Sequence, residues 1–277
     1  MKAKRVAQRA GQVVMLAAVT ALFVYPFWWM LVNSLNTAAQ VFGAPTLLPV
    51  SWRWRNYVEI FEIQPFARHC FNSVLVAVVG TAGNILVAGL SGYGFARLRF
   101  PGRGVLFMLL LTALMMPIEV IIVPLFFQML GWGFDDSLVP LMLLPIFGSQ
   151  GAFSAFMFRQ FFVTVPGELE EAAKLDGLGY FGTFWHIMLP IAKPVISSGA
   201  ILAFLAAWNT YLEPLVFTSS IEKYTLPLSL NNFNDAYGQP QWNLQMAATT
   251  VSVLPIMLVY LFFQEKVTDA MVNSGLK

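Results

Sequence analysis

Apolar residues in this chain do not alternate with polar ones; they come in long unbroken runs. Six stretches, at about 13–33, 72–96, 105–130, 138–158, 194–217 and 246–264, carry no charge or a single acid. A helix that crosses a bilayer needs roughly 20 mostly apolar residues. A membrane β-barrel would show shorter alternating segments instead. The pattern therefore predicts an all-α fold, a polytopic membrane bundle of six transmembrane helices. Pro117 and Pro124 fall in the third run, Pro140 and Pro145 in the fourth, Pro194 in the fifth and Pro255 in the sixth. A proline inside a span frees a carbonyl that neighbouring helices or water must satisfy. These prolines mark either packing irregularities or hinges along a pathway.

Charge adds orientation. With six spans, both termini share one side. That side holds Lys2, Lys4, Arg5, Arg9, Arg97, Arg99, Arg103, Arg159, Lys174, Lys193, Lys266 and Lys277. The other side holds Arg53, Arg55, Arg68 and Lys223. Twelve against four is a strong positive-inside bias, so both termini are expected in the cytoplasm. The first run has a signal-like basic start. Its core is too long for a signal region and contains "YPFWWMLVNSL", so it is expected to remain as a span. The domain plan is a cytoplasmic segment 1–12, a membrane domain 13–264 with a cytoplasmic loop 159–193, and a cytoplasmic tail 265–277.

Composition narrows the function classes. Of 277 residues, 58% are hydrophobic and 11% charged, against about 45–50% and about 25% in a soluble domain. A net charge of +2 leaves no basic excess for nucleic acid. Cys70 is alone, and His69 and His186 lie far apart, so neither a disulfide nor a metal cluster is expected. No G-x-x-x-x-G-K-[ST] loop is present, and "GLSGYG" (89–94) lies in an apolar run without a lysine. The chain is not its own ATPase, and no catalytic set is visible within the spans.

Three connectors stand out. The loops 34–71 and 218–245 fall on the outer side, as solvated connectors or as surfaces for an external partner. The third, 159–193, holds the main acidic cluster. Thr164 is the expected start of a short helix. Pro166 needs no backbone donor there, and Glu168, Glu170 and Glu171 complement the positive helix end. Gly177 fits a left-handed stop after Asp176. A second helix at about 180–188 is expected to end before Pro190. Ala172 and Ala173, small and adjacent, allow either close approach by another protein or packing of the helix on its own bundle.

At this loop the chain resembles a known family. "EAAKLDG" (171–177), nine residues, then "IMLP" (187–190) resembles the EAA motif of ABC importer permeases. Glu171, Ala172, Ala173, Gly177, Ile187, Leu189 and Pro190 all match at the family's spacing. "YGFARLRFPGR" (93–103), "LPLSL" (226–230) and "AATTVSVLPIMLVYLFFQ" (247–264) resemble the carbohydrate branch. The length resembles the shorter, six-span permease of a maltose-type heterodimer; the ending "VNSGLK" departs from its usual glycine-rich end.

The resemblance implies a prokaryotic inner-membrane location and a cytoplasmic coupling-helix loop. It implies a second permease subunit, two ABC ATPase subunits that bind ATP and Mg, an extracytoplasmic solute-binding protein and a sugar substrate. No cofactor is expected on this chain. The ATPase-coupling residues it implies are Glu168, Glu171, Ala172, Ala173, Asp176 and Gly177, with Ile187, Leu189 and Pro190 tying the loop to the bundle. A candidate substrate path groups Glu119, Asn209, Tyr211 and Glu213, acids, an amide and an aromatic ring suited to sugar hydroxyls and faces. A rival reading takes Glu119 or Glu213 as the proton carrier of a secondary transporter, since acids within spans are functional candidates by default. Another importer of the same fold, for a different small solute, is a further alternative.

Overall fold

The computed structural model describes the backbone of residues 2–235 and 237–274, and the side chains of 11–235 and 237–261. In chain order the helices are α1 (Lys2–Ser34), α2 (Asn56–Ile63), α3 (Phe66–Arg97), α4 (Arg103–Met115), α5 (Ile118–Gly131), α6 (Val139–Phe147) and α7 (Ser149–Thr164). They continue as α8 (Glu168–Leu175), α9 (Tyr180–Thr183), α10 (Leu189–Ile191), α11 (Lys193–Trp208), α12 (Leu212–Phe217), α13 (Leu226–Ser229) and α14 (Trp242–Ser274). A π-helical turn, Phe184–Met188, joins α9 to α10. Among the described residues the only extended pairing noted is an isolated bridge between Asn234 and Pro240.

Four helices are long and apolar enough to cross a membrane: Gly11–Ser34, Phe66–Arg97, Val139–Thr164 and Trp242–Leu261. The count reaches six when two bent pairs each make one span. The predicted third run is one of them, since α4 and α5 meet at 105°. Pro117 is the cause. It drives Met116 out of the helical region, to φ −88° and ψ 108°, before α5 restarts at Ile118. The fifth run is also interrupted. α11 ends at Trp208, three residues before α12; the 80° bend of the second pair, between Tyr180–Ile191 and α11, lies just ahead of the run, in the predicted loop 159–193.

The chain folds as two compact units. One comprises residues 1–66 and 230–254. Its interior mixes polar and apolar side chains. Asn56 is fully buried and its Nδ2 donates to the carbonyls of Ser34 (2.7 Å) and Asn36 (2.9 Å). Asn243 Nδ2 donates to Asn56 Oδ1 at 3.3 Å, and Asn36 Oδ1 accepts from the Val50 amide at 2.9 Å. Phe66 stacks edge-on between Phe61 and Phe233, with ring centroids 5.5 and 6.0 Å away. Buried polar groups must be paired, so this asparagine knot fixes the connector 35–55 against the end of α1.

The other unit comprises residues 67–229 and 255–277. It has two apolar centres. Tyr93, Phe158, Phe162, Phe184, Met188 and Ala192 form one, with Leu189 packed against it. Val76, Ile122, Met129, Leu141 and Phe217 form the second. Gly92 lets α3 lie directly on α7, since a Cβ there would sit 2.5 Å from Phe158 Cβ and 2.9 Å from the Arg159 amide nitrogen. Asn84 of α3 donates to the Pro145 carbonyl at 2.6 Å, beside the break between α6 and α7. Such a partner is what irregular backbone needs inside a span.

The predicted connector 218–245 is not uniform. Its first part is clasped. His69 Nε2 donates to the Ile221 carbonyl at 2.7 Å, Asn72 Nδ2 to those of Glu222 (2.8 Å) and Tyr224 (2.9 Å), and the Leu226 amide to Ser73 Oγ (2.7 Å). Asp136, at a left-handed φ of 44°, accepts from the amides of Ser219 and Ser220 and pairs with Lys223 at 3.1 Å.

Candidate functional site

The loop after α7 shows how a short acidic segment becomes a rigid display. The start expected at Thr164 is displaced. α7 runs through Thr164, whose hydroxyl donates to the Phe161 carbonyl, and α8 begins at Glu168. Pro166 forces Val165 into an extended conformation (ψ 134°), so the break falls there. Glu168, Glu170 and Glu171 occupy the first turn of α8 and Lys174 the last, as the helix dipole favours.

α8 stops in a complete Schellman turn. The Leu178 amide donates to the Ala173 carbonyl at 2.9 Å and the Gly177 amide to that of Lys174 at 3.1 Å. Gly177 takes φ +81°, and nothing lies within 4 Å of a Cβ placed there. The demand for glycine is thus purely conformational. The second helix does not end before Pro190 as expected. The wide turn Phe184–Met188 carries it on to Ile191. Pro190 has no N–H and its ring would crowd the carbonyl four residues back in a regular helix, which the wider turn relieves.

The two adjacent alanines have different fates. Ala173 is fully buried, while Ala172 is exposed. Glu168, Glu171, Ala172 and Leu175 follow helical spacing and form one outward stripe, with Asp176 and Gly177 exposed at its end. Leu175 is 89% exposed, and Tyr180 and Phe181 are also exposed beyond the turn. Among the described residues neither Glu168 nor Glu171 has an ion-pair partner. On the inner side the deepest anchors are Phe184 and Met188; Ile187 and Leu189 are half-buried and Pro190 is exposed. Sequence reasoning passed over Leu175, although a large apolar residue at i+4 from Glu171 and i+7 from Glu168 was readable as part of a contact face. It also passed over the ion pair between Arg97 Nε and Glu170 Oε1, at 3.4 Å, because 73 positions separate the two.

The four candidate path residues lie at two breaks. Glu119 is exposed in the first turn of α5, just after the sharp bend. Asn209 and Tyr211 are exposed in the gap between α11 and α12, and Glu213 opens α12. Asn209 Nδ2 is spent on the Leu205 carbonyl at 2.8 Å, and Glu213 Oε2 accepts from Thr210 Oγ1 at 3.1 Å. Ile118 and Leu212, the neighbours of the two glutamates, pack on the same apolar centre. The described residues hold no group of three metal-ligating side chains.

Over 269 residues the chain is 35% identical to the sn-glycerol-3-phosphate transport system permease protein UgpE of Yersinia enterocolitica, covering 94% of this chain and 95% of that one. It is 30% identical over 260 residues to the arabinooligosaccharides transport system permease protein AraQ of Bacillus subtilis, covering 92% and 91%. The fold matches a chain from the crystal structure of a bacterial ABC transporter involved in import of the acidic polysaccharide alginate. That match has a TM-score of 0.80 at 21% identity and covers 96% of this chain and 98% of that one. Residues 63–272 match the family described as binding-protein-dependent transport system inner membrane component. An acidic helix displayed on a multi-pass apolar bundle, with relatives along nearly its whole length, makes this chain a member of that family, a membrane permease subunit of a transport system and not an enzyme.

Proposed function

We propose that the chain forms half of the membrane pathway of an ATP-driven carbohydrate importer and receives its drive through α8. The observation that carries this reading is the unpaired outward stripe of α8, Glu168, Glu171, Ala172 and Leu175, ending in the Gly177 turn. It combines charge for a basic cleft, a small residue for close approach and an exposed apolar contact. A separate ATPase subunit would supply the cleft and bind ATP and Mg; a second permease would complete the pathway; a binding protein would deliver solute outside. The basic bias supports a reading with the termini, segments 1–12 and 265–277, in the cytoplasm beside α8 and 13–264 as the membrane domain.

On this reading, closure of an ATPase pair moves α8. The turn at Gly177 fixes the direction of the next segment, and Phe184 and Met188 pass the displacement into the aromatic centre. Glu119, Asn209, Tyr211 and Glu213 are the proposed path contacts. Interrupted helices are tolerated at membrane depth where they line a cavity or are buried in protein. The named cargoes of relatives include a polyol phosphate and oligosaccharides. No Lys or Arg lies within the six apolar runs, and the path candidates include two acids. A neutral carbohydrate suits such a path better than a phosphate anion, which like charges would repel.

Affinity purification from gently solubilised membranes tests the reading, with Glu171→Lys as the comparison. The expected result is recovery of an ATP-binding subunit and a second permease, with the ATPase lost from the variant. Recovery of the chain alone would overturn it in favour of a secondary transporter. Equal retention by the variant would keep the importer and remove Glu171 from the docking face.

A further inference from the structure

Arg97 is the last residue of α3, and its guanidinium meets two other helices at once, α7 and α8. Nη2 donates to the carbonyl of Phe162 at 2.6 Å and to that of Val165. These carbonyls belong to the C-terminal end of α7, where a helix leaves its last acceptors without internal partners. Nε lies 3.4 Å from Glu170 Oε1, in the first turn of α8. Both side chains are only 16% exposed. An exposed ion pair contributes little, whereas a shielded group that loses its partner has little water to replace it.

Local chemistry does not account for this pairing. Lys174 stands four residues after Glu170, the usual spacing for a helical ion pair. Its Nζ instead lies 5.8 Å from the centre of the Tyr180 ring. Glu170 is left to the distant arginine. The inner face of α8 otherwise buries Ala173, a single methyl that offers little grip. Beyond the Gly177 turn the loop is held firmly, with the Phe184 ring 5.5 Å from Tyr93 of α3. At the near end only Pro166 and Gly167 separate Val165, the cap of α7, from α8. Val165 packs in the aromatic centre, but no residue of α8 belongs to it, so the tie from Arg97 to Glu170 secures the first turn of α8 directly.

We propose that Arg97 is a positioning residue for energy coupling, which through Glu170 and the two α7 carbonyls carries displacement of α8 directly into α3. This rests on α8 being the ATPase-docking helix and adds the link by which its movement enters the bundle. Glu170 is half-buried and turned inward, so its loss leaves the docking stripe intact.

The test uses the assembled transporter, with permeases and ATPases together in proteoliposomes. It compares wild type with Glu170→Gln, Arg97→Lys and Arg97→Gln. Three quantities are read: ATPase retained on purification, the rate of ATP hydrolysis, and solute taken up per ATP. Glu170→Gln is expected to retain the ATPase and to show a several-fold fall in uptake per ATP. Arg97→Lys keeps the charge but lacks the fork that serves carboxylate and carbonyls together, so it is expected to fall between wild type and Arg97→Gln. Unchanged uptake per ATP in Glu170→Gln would overturn the proposal. Loss of the ATPase from Glu170→Gln would also overturn it, because the role would then be docking. If the Arg97 variants fail to accumulate, Glu170→Gln decides alone, since it leaves the carbonyl bonds of Arg97 in place. Glu171→Lys separates this from the docking assignment. Retention of the ATPase by Glu171→Lys, with uncoupling by Glu170→Gln, would sink the assignment of Glu171 and keep the link through Arg97.

Discussion

Two connectors of the larger unit are held in opposite ways. The loop after α7 is built from helices and anchored by buried apolar side chains and one shielded ion pair, and it leaves an acidic stripe without partners. The stretch 219–226 holds only a single 3-10 turn, Ile221–Lys223, before α13 begins at Leu226. Its main-chain groups are gripped by side chains of other elements, His69, Asn72, Ser73 and Asp136. A loop that organises its own backbone frees its side chains to meet another protein. A loop whose backbone is satisfied from outside is fixed in place but shows less of itself. The first arrangement suits a moving contact and the second a strap.

The sharpest break of this contrast separates the two alanines. Ala173→Leu inserts three carbons at a fully buried position, and overpacking of this kind costs about 1–3 kcal/mol. Its expected result is a lower melting temperature of the purified chain, together with loss of ATPase recovery. Ala172→Leu is expected to leave the melting temperature unchanged and to weaken ATPase recovery alone. Equal thermal shifts in both would mean that α8 does not have distinct inner and outer faces.

On the strap, Asn72→Ala removes the donor that serves both the Glu222 and Tyr224 carbonyls. Loss of a hydrogen bond at such part-buried carbonyls costs about 0.5–1.5 kcal/mol. Hydrogen exchange of the amides at 221–226 should quicken while that of α8 is unchanged. Spread of the effect to α8 would show that the two loops share one cooperative unit.

Gly177 offers a finer test, because no neighbouring atom confounds it. A residue with a Cβ in the left-handed region costs about 1–2 kcal/mol, and asparagine bears it best. Uptake per ATP should fall in the order Gly177→Asn, Gly177→Ala, Gly177→Val, the last being nearly uncoupled. Wild-type transport by Gly177→Val would remove the turn from the coupling path.

Much of this was legible beforehand, for identifiable reasons. The six runs announce themselves because a bilayer demands length and low charge at once. Gly177 was legible because only glycine sits easily in the left-handed turn that ends α8. The start of α8 was misplaced because Thr164 resembles a cap, whereas Pro166 acts on the residue before it and pushes the boundary to Gly167. The interruption of the third run was visible as Pro117, but its angle depends on how α5 packs against α12 in the second apolar centre. The gap at 209–211 holds no proline or glycine itself, and its signal, Pro214, acts from a distance by crowding the carbonyl of Thr210. The tie between Arg97 and Glu170 is tertiary, and no local pattern pairs an arginine ending one helix with a glutamate 73 positions later. Candidate residues were thus recoverable where function needs a local backbone geometry, and hidden where it needs two distant helices to meet.

The smallest expected effect concerns Asp136. The Ser220 hydroxyl, the Ser220 and Ser219 amides and, more weakly, the Lys223 ammonium hold its carboxyl well below its ordinary value of 3.8, against a modest opposing cost of burial. Because the folded value lies below the unfolded one, the ionised clasp contributes fully above about pH 4 to 5 and loses its contribution as pH falls further. The Asp136 side chain is 26% exposed and that of Lys223 is 40% exposed, so solvent screens the pair and the effect stays local. Exchange of the Ser219 and Ser220 amides, compared with that of the α3 amides, should quicken between pH 5 and pH 3 in wild type. Asp136→Asn is the informative variant. Asparagine tolerates the left-handed φ of 44° and keeps an acceptor for the two amides, but it carries no charge to titrate. Its strap should exchange faster than wild type at pH 7 and show no further change on acidification. The same pH response in both proteins would place the sensitivity elsewhere in the strap and reduce Asp136 to a turn residue.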